Sequence, residues 1–211
     1  YLSGNCSQAV ENFKKYIEQF SNGSFRLNAH FYLAECLQKL GHYEDALESY
    51  NFVTGMFRNT FTEQALLGAS EINFNLGNYR NALNDFKELE KIAESQANLL
   101  TARRGQMRSS KLLDLHEETL EASQKLLDID NLPGELKREA HYNIGKSQMA
   151  LNNMDEALKE FRLVSHEVTS KEGAESKYRI AEIYYMMDEN ELAEEEVYSF
   201  VSMNTPHQYW I

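Results

Sequence analysis

The residues best suited to chemistry in this 211-residue chain are cations rather than nucleophiles or metal ligands. Arg104, Arg108 and Lys111 fall at i, i+4 and i+7, so a helix places all three on one face. The window 97–112 that holds them also contains Arg103 and no acid, a local +4 in a chain of net charge −12. Such a face can orient a carboxylate through charge-assisted hydrogen bonds. The six histidines (His30, His42, His116, His141, His166 and His207) are scattered, with no second ligand at one-turn spacing. No G-x-G or G-x-x-x-x-G-K stretch is present to cradle a phosphate. Glu194, Glu195 and Glu196 are consecutive, so they point around a helix and read as a solvated face. The residues nominate no catalytic, cofactor-binding or metal-binding group, and the chain reads as a non-enzyme with no cofactor.

Composition narrows the classes further. Apolar residues make up 42% of the chain, enough for a sizeable core, and the content of Leu, Ala, Tyr and Phe argues against wholesale disorder. The longest apolar runs fall far short of the ~20 residues needed to cross a bilayer. An isoelectric point near 5.0 argues against nucleic acid as a partner, because that affinity comes from Lys and Arg meeting phosphates. Cys6 and Cys36 stand in no C-x-x-C arrangement and are expected as small buried apolar side chains.

What must position the cations is a repeat. Gly41-His42-Tyr43-Glu44-Asp45-Ala46-Leu47 recurs as Gly77-Asn78-Tyr79-Arg80-Asn81-Ala82-Leu83, with weaker copies beginning at Gly4, Asp114, Asn152 and Asp188. The small residue of each copy is Ala9, Ala46, Ala82, Thr119, Ala157 or Ala193, spaced by 37, 36, 37, 38 and 36 residues. That regularity marks a repeat array. Each period reads as two helices, the second carrying apolar residues such as Ala46, Leu47, Tyr50 and Val53 on one face. Gly4, Gly41 and Gly77 occupy the turn within a repeat, where a left-handed residue ends the first helix cheaply. Gly23, Gly55, Gly134 and Gly173 are expected between repeats, beside Pro133. Gly68, Gly105 and Gly145 fall inside first helices, which implies close approach of a partner helix. Tyr16, Tyr32, Tyr50, Phe86, Tyr142 and Phe161 sit at helix-packing spacing and are expected mostly in the core.

These residues resemble the tetratricopeptide repeat family. The match lies in the small residues Ala34, Ser70, Gly145 and Ala181, the post-turn aromatics Tyr43 and Tyr79, and the pairs Ala9/Phe13, Ala46/Tyr50, Ala82/Phe86 and Ala157/Phe161. The resemblance spans essentially the whole chain. It implies an all-α solenoid of stacked helix-turn-helix repeats, a right-handed superhelix whose concave face is lined by first helices. The period exceeds the usual ~34 residues, a trait of bacterial envelope members of the family, and the copy at 97–133 is degenerate. The expected organisation is one solenoid over 1–211, with a half repeat at 1–22 and full repeats at 23–60, 61–96, 97–133, 134–170 and 171–205. Residues 206–211 read as the start of a further repeat, so both ends look cut from a longer array.

In that register the face of Arg104, Arg108 and Lys111 lines the concave groove. Leu67, Glu71 and Phe74 flank it on one side and Tyr142, Asn143, Lys146, Tyr178, Arg179 and Tyr185 on the other. Some family members clamp a peptide carboxylate with Lys and Asn one turn apart, then Asn on the next repeat, then Lys and Arg. The resemblance maps these onto Arg104 and Arg108, Asn143, then Glu175 and Arg179. Arg104, Asn143 and Arg179 fit, Arg108 replaces an amide, and Glu175 brings a negative charge where a positive one is needed. Three readings of the face remain: a solvated surface balancing the acidic repeat at 167–199, a site for a peptide or acidic loop, and a carboxylate clamp. The function implied is a non-catalytic scaffold that binds a peptide or protein segment in its groove. The alternative is an architectural or adaptor segment of a larger, envelope-assembly protein with no groove ligand of its own.

Overall fold

The computed structural model describes residues 5–206. The turn expected at Gly4 and nearly all of the fragment expected at 206–211 lie outside them. The described residues form helices and no strand. In chain order they are α1 (Cys6–Gln19), α2 (Arg26–Lys39), α3 (Tyr43–Thr54), α4 (Thr62–Asn75), α5 (Tyr79–Ile92), α6 (Gln96–Leu112), α7 (His116–Leu127), α8 (Gly134–Ala150), α9 (Met154–Val164), α10 (Lys171–Met186) and α11 (Asn190–Ser202). The chain divides into two compact units, Tyr1–Ser109 and Ser110–Ile211. Each is a run of helical hairpins in which neighbours along the chain pack: α2 on α3 and α4 on α5 in the first unit, α8 on α9 and α10 on α11 in the second.

One turn geometry builds every hairpin. Gly41 and Gly77 adopt φ of 79° and 80°, and the same register position holds Asp114, Asn152 and Asp188 at 53°, 63° and 61°. The amide one residue later reaches back five positions to a carbonyl of the preceding helix. The bonds are His42 to Leu37 at 2.9 Å, Asn78 to Asn73 at 2.8 Å, Leu115 to Ser110 at 3.0 Å, Asn153 to Gln148 at 2.8 Å and Glu189 to Tyr184 at 2.9 Å. That left-handed cap stops one helix and starts the next at a fixed angle. Asn and Asp tolerate the conformation because their short polar side chains bond locally, so the repeat survives where glycine is lost.

Packing then follows from small residues facing large ones. Ala46, Ala82 and Ala157 are fully buried, and the degenerate copy substitutes Thr119, whose hydroxyl bonds Ser110 Oγ at 3.0 Å and the Leu115 carbonyl at 2.8 Å. The first helices receive aromatic rings at their glycines. A Cβ on Gly68 would lie 2.6 Å from the Tyr50 ring, on Gly105 2.4 Å from Phe86, and on Gly145 2.8 Å from Phe161. The close approach expected of these glycines is therefore to an aromatic side chain. Phe31, Leu37, Tyr50, Val53 and Ile72 anchor a core in the first unit; Tyr142, Phe161, Val164, Ile180 and Ile183 anchor one in the second. Burying such a side chain contributes roughly 1.5–3 kcal/mol.

Two expectations need correction. Gly134 and Gly173 do not lie between helices: Gly134 opens α8, and Gly173 sits in the first turn of α10 against the Glu167 carbonyl. Its amide is capped there by Ser170 Oγ at 3.0 Å, and a Cβ would stand 2.1 Å from the Glu167 carbonyl oxygen. Cys36 is fully buried as expected, but Cys6 is only half-buried. Among the described residues no helix is long and apolar enough to cross a membrane.

Candidate functional site

The nominated residues divide between the two units. In the first, Arg104 and Arg108 project from α6 into a recess of about 230 Å³ bounded by Glu71, Phe74 and Asn75 of α4 and by Thr101 and Gly105 of α6. The Phe86 ring forms its floor, admitted by the missing side chain of Gly105. What aims α6 is a part-buried polar cluster against α5. Arg103 Nε donates to Glu90 Oε1 at 2.9 Å, and Gln106 Nε2 donates to Glu90 Oε2 at 2.9 Å and to the Phe86 carbonyl at 3.3 Å. Of the four cations in the window, Arg103 is thus committed to α5. Arg104 is half-buried and has no hydrogen-bond or ion-pair partner among the described residues.

The second unit gathers Lys111, Tyr142, Lys146 and Arg179 around a residue of the wrong charge. Glu175 is 3% exposed. Its Oε1 lies 3.1 Å from Arg179 Nη2, 3.4 Å from Arg179 Nε and 3.4 Å from Lys146 Nζ, and it accepts from the Tyr142 hydroxyl. Burial alone would raise the Glu175 pKa; the Tyr142 hydroxyl, Lys146 and Arg179 outweigh it and hold the carboxyl below its ordinary value. Burial, and then Glu175, push the Tyr142 phenol upward. Arg179 also donates from Nη1 to Glu182 Oε2 at 2.6 Å, and its guanidinium lies 5.6 Å from the Tyr178 ring centre. The ammonium groups of Lys111 and Lys146 stand 5.4 Å and 5.7 Å from the Tyr142 ring centre, within cation–π range.

The nine nominated residues differ in what they can offer a ligand. Lys111, Lys146 and Tyr185 are exposed, and Arg104, Arg108, Tyr178 and Arg179 are half-buried. Tyr142 belongs to the core, its ring 6.3 Å from that of Phe161. Asn143 is 1% exposed, and neither polar atom of its side chain has a hydrogen-bond partner. Buried amides without partners are uncommon and costly. The residue that sequence reasoning undervalued is Glu175. Its signal was local: a lone acid inside the run Gly173-Ala174-Glu175-Ser176, all four of them buried. Among the described residues no group of three or more His, Cys, Asp or Glu is placed to hold a metal ion.

Two stretches of the sequence match family models described as tetratricopeptide repeat, residues 3–52 and 139–164. Those two stretches read as tetratricopeptide repeats, and the chain has a tetratricopeptide-like all-helical fold. Several solved tetratricopeptide structures share its fold. YrrB, a TPR protein with an unusual peptide-binding site, is 18% identical with a TM-score of 0.66, over 95% of this chain and 96% of its own. MamA from Desulfovibrio magneticus RS-1 is 12% identical with a TM-score of 0.61, over 85% of this chain and 95% of its own. A tetratricopeptide repeat protein from Parabacteroides merdae is 20% identical with a TM-score of 0.57, over 97% of this chain and 75% of its own. Identities this low establish the fold alone. No curated protein matches the sequence. Tetratricopeptide repeat proteins generally mediate protein–protein interactions and are typically non-catalytic scaffolds.

Proposed function

We propose that this tetratricopeptide-like chain is a non-catalytic interaction module that binds a peptide, or an extended segment of a partner protein, against its first helices. Arg104 carries the reading: it faces a formed recess beside Phe74, has no partner among the described residues, and sits on a helix fixed by Arg103, Gln106 and Glu90. A guanidinium so placed supplies directional donors for a ligand carboxylate or carbonyl, and Phe74 supplies apolar contact. Each exposed charge contact is worth about 0–1 kcal/mol, so affinity has to accumulate over several contacts along the ligand. The peptide-binding site of YrrB, on the same fold, supports the reading. Neither nucleic acid nor a cofactor enters it.

The test is an array of random 12-residue peptides probed with the wild-type chain and with the Arg104→Glu/Arg108→Glu variant. Groove binding predicts a set of wild-type spots that the charge reversal abolishes or re-sorts toward basic peptides. Binding that is identical in the two proteins would instead favour an architectural segment whose groove is empty.

A further inference from the structure

Lys146 and Arg179 are cations that the sequence offers to a ligand, yet both are already engaged by a carboxylate from within the chain. Glu175 Oε1 sits 3.4 Å from Lys146 Nζ and 3.1 Å from Arg179 Nη2, on a side chain 5% exposed. The remaining valence of Arg179 goes to Glu182 Oε2 at 2.6 Å. From every element packed here the charges are Lys111 of α6, Glu139 and Lys146 of α8, and Glu172, Glu175, Arg179 and Glu182 of α10. Three cations face four carboxylates, so the face has no positive surplus despite its three basic side chains. An incoming carboxylate would have to displace Glu175, which is buried and hydrogen-bonded, or share its cations at like-charge distance. Either course opposes binding, because a partnered buried charge is costly to strip and like charges brought together disfavour the wrong ligand.

We propose that Glu175 sets the charge preference of the α8–α10 face: as a resident carboxylate on Lys146 and Arg179 it turns away acidic groups and leaves the face to neutral or basic polypeptide. The proposal rests on the peptide-binding reading above and names the ligand class it takes in the second unit. Glu175 acts as a specificity residue through charge, with shape unchanged. The isosteric Glu175→Gln keeps an acceptor for the Tyr142 hydroxyl while freeing Lys146 and one side of Arg179, which brings the face from a surplus of one carboxylate to three cations against three carboxylates.

The same 12-residue array distinguishes the outcomes. To silence the first unit, both proteins carry Arg104→Gln/Arg108→Gln, and circular dichroism melts confirm that each is folded. With Glu175 in place, the bound spots are expected to be depleted in Asp and Glu relative to the array. Glu175→Gln is expected to raise the signal of acidic spots at least tenfold over neutral ones. A second variant, Lys146→Met, removes a cation and should depress acidic spots further while neutral spots hold. If spots persist but their acidity is the same with Glu175 in place and in the Glu175→Gln variant, the charge role of Glu175 is overturned while the peptide reading stands. If the unsubstituted chain binds no spot at all, the peptide reading falls and this proposal with it.

Discussion

Replacing Gly68 with alanine separates two effects that pull in opposite directions, and the structure decides between them. Alanine in a helix interior is favoured over glycine by about 1 kcal/mol. The new Cβ, however, would stand 2.6 Å from Tyr50 Cζ, 2.7 Å from Cε2 and 2.8 Å from the hydroxyl oxygen. Contacts of this kind settle near ~3.5–4.0 Å, so the ring must retreat by about 1 Å. It has nowhere cheap to go: Tyr50 is fully buried, donates to Gln38 Oε1 at 2.7 Å and Glu35 Oε1 at 3.3 Å, and meets Phe31 edge-on at 6.4 Å. Overpacking costs about 1–3 kcal/mol, and a weakened hydroxyl bond adds about 0.5–1.5 kcal/mol. The sum exceeds the propensity gain, so Gly68→Ala is expected to destabilise the first unit by about 1–3 kcal/mol.

Hydrogen exchange of the α3 and α4 amides reads that loss locally, as protection falling about tenfold for each 1.4 kcal/mol. Two companions make the reasoning refutable. Gly134→Ala meets no atom within 4 Å, so it should leave α8 protection equal or higher. Tyr50→Leu empties the contested space, so adding Gly68→Ala to it should cost less than Gly68→Ala alone, a coupling of the kind double-mutant cycles measure. Equal or greater protection in Gly68→Ala, or no coupling to Tyr50, would show that the aromatic seat is not what requires glycine.

Three further outcomes are expected. The His30 ring is stacked on Phe52 at 3.8 Å with both nitrogens lacking a partner, and burial, then Arg26, lower its pKa. The unfolded chain therefore binds the proton more readily, so melts should show the first unit losing stability as pH falls through ~6.5, and His30→Phe should flatten that dependence. Burial, then a hydrogen bond from the Cys36 thiol to Cys6, raise the Cys36 pKa to about 11, so thiol titration at neutral pH should modify the half-buried Cys6 first, and equal rates would refute the assignment. Asp188 holds φ of 61° with its side chain exposed, so Asp188→Gly should stabilise the second unit by about 0.5–1 kcal/mol in urea unfolding; a loss would mean the aspartate makes a contact that outweighs its strain.

How far the sequence carried this picture depends on distance along the chain. The hairpin turns were legible because the caps are local: Gly41 and Gly77 announce them, and the spacing finds Asp114, Asn152 and Asp188 once the period is known. The glycines inside first helices were legible as close approaches, since a costly residue repeated in register needs a reason, although the aromatic ring at each was not. The degenerate copy looked like loss of pattern. Its Thr119 and Ser110 bond each other at 3.0 Å, so the position traded an alanine contact for a satisfied buried hydroxyl pair.

Charge was the least legible feature, for a physical reason. Composition sets ten acids against three bases over 167–199 and suggests an acidic surface. Ion pairs, though, join residues within α10, across a hairpin, and between α8 and the segment about one repeat later. Arg138 meets Glu167 at 2.5 Å and Glu172 at 3.7 Å, and Lys146 meets Glu175 at 3.4 Å. Lys177 pairs with Glu196, and Arg179 takes both Glu175 and Glu182. Half of the ten acids are thereby committed within the second unit, and two of the cations expected to greet a ligand, Lys146 and Arg179, are among those that hold them. A window sum along the chain counts charges that the fold has already paired across helices. In the first unit, Glu90 is taken by Arg103 and Gln106, while Arg104 faces its recess with no partner among the described residues. On the proposed reading, ligand charge preference in such an array is set less by how many basic residues line a first helix than by whether a buried acid stands in register beside them.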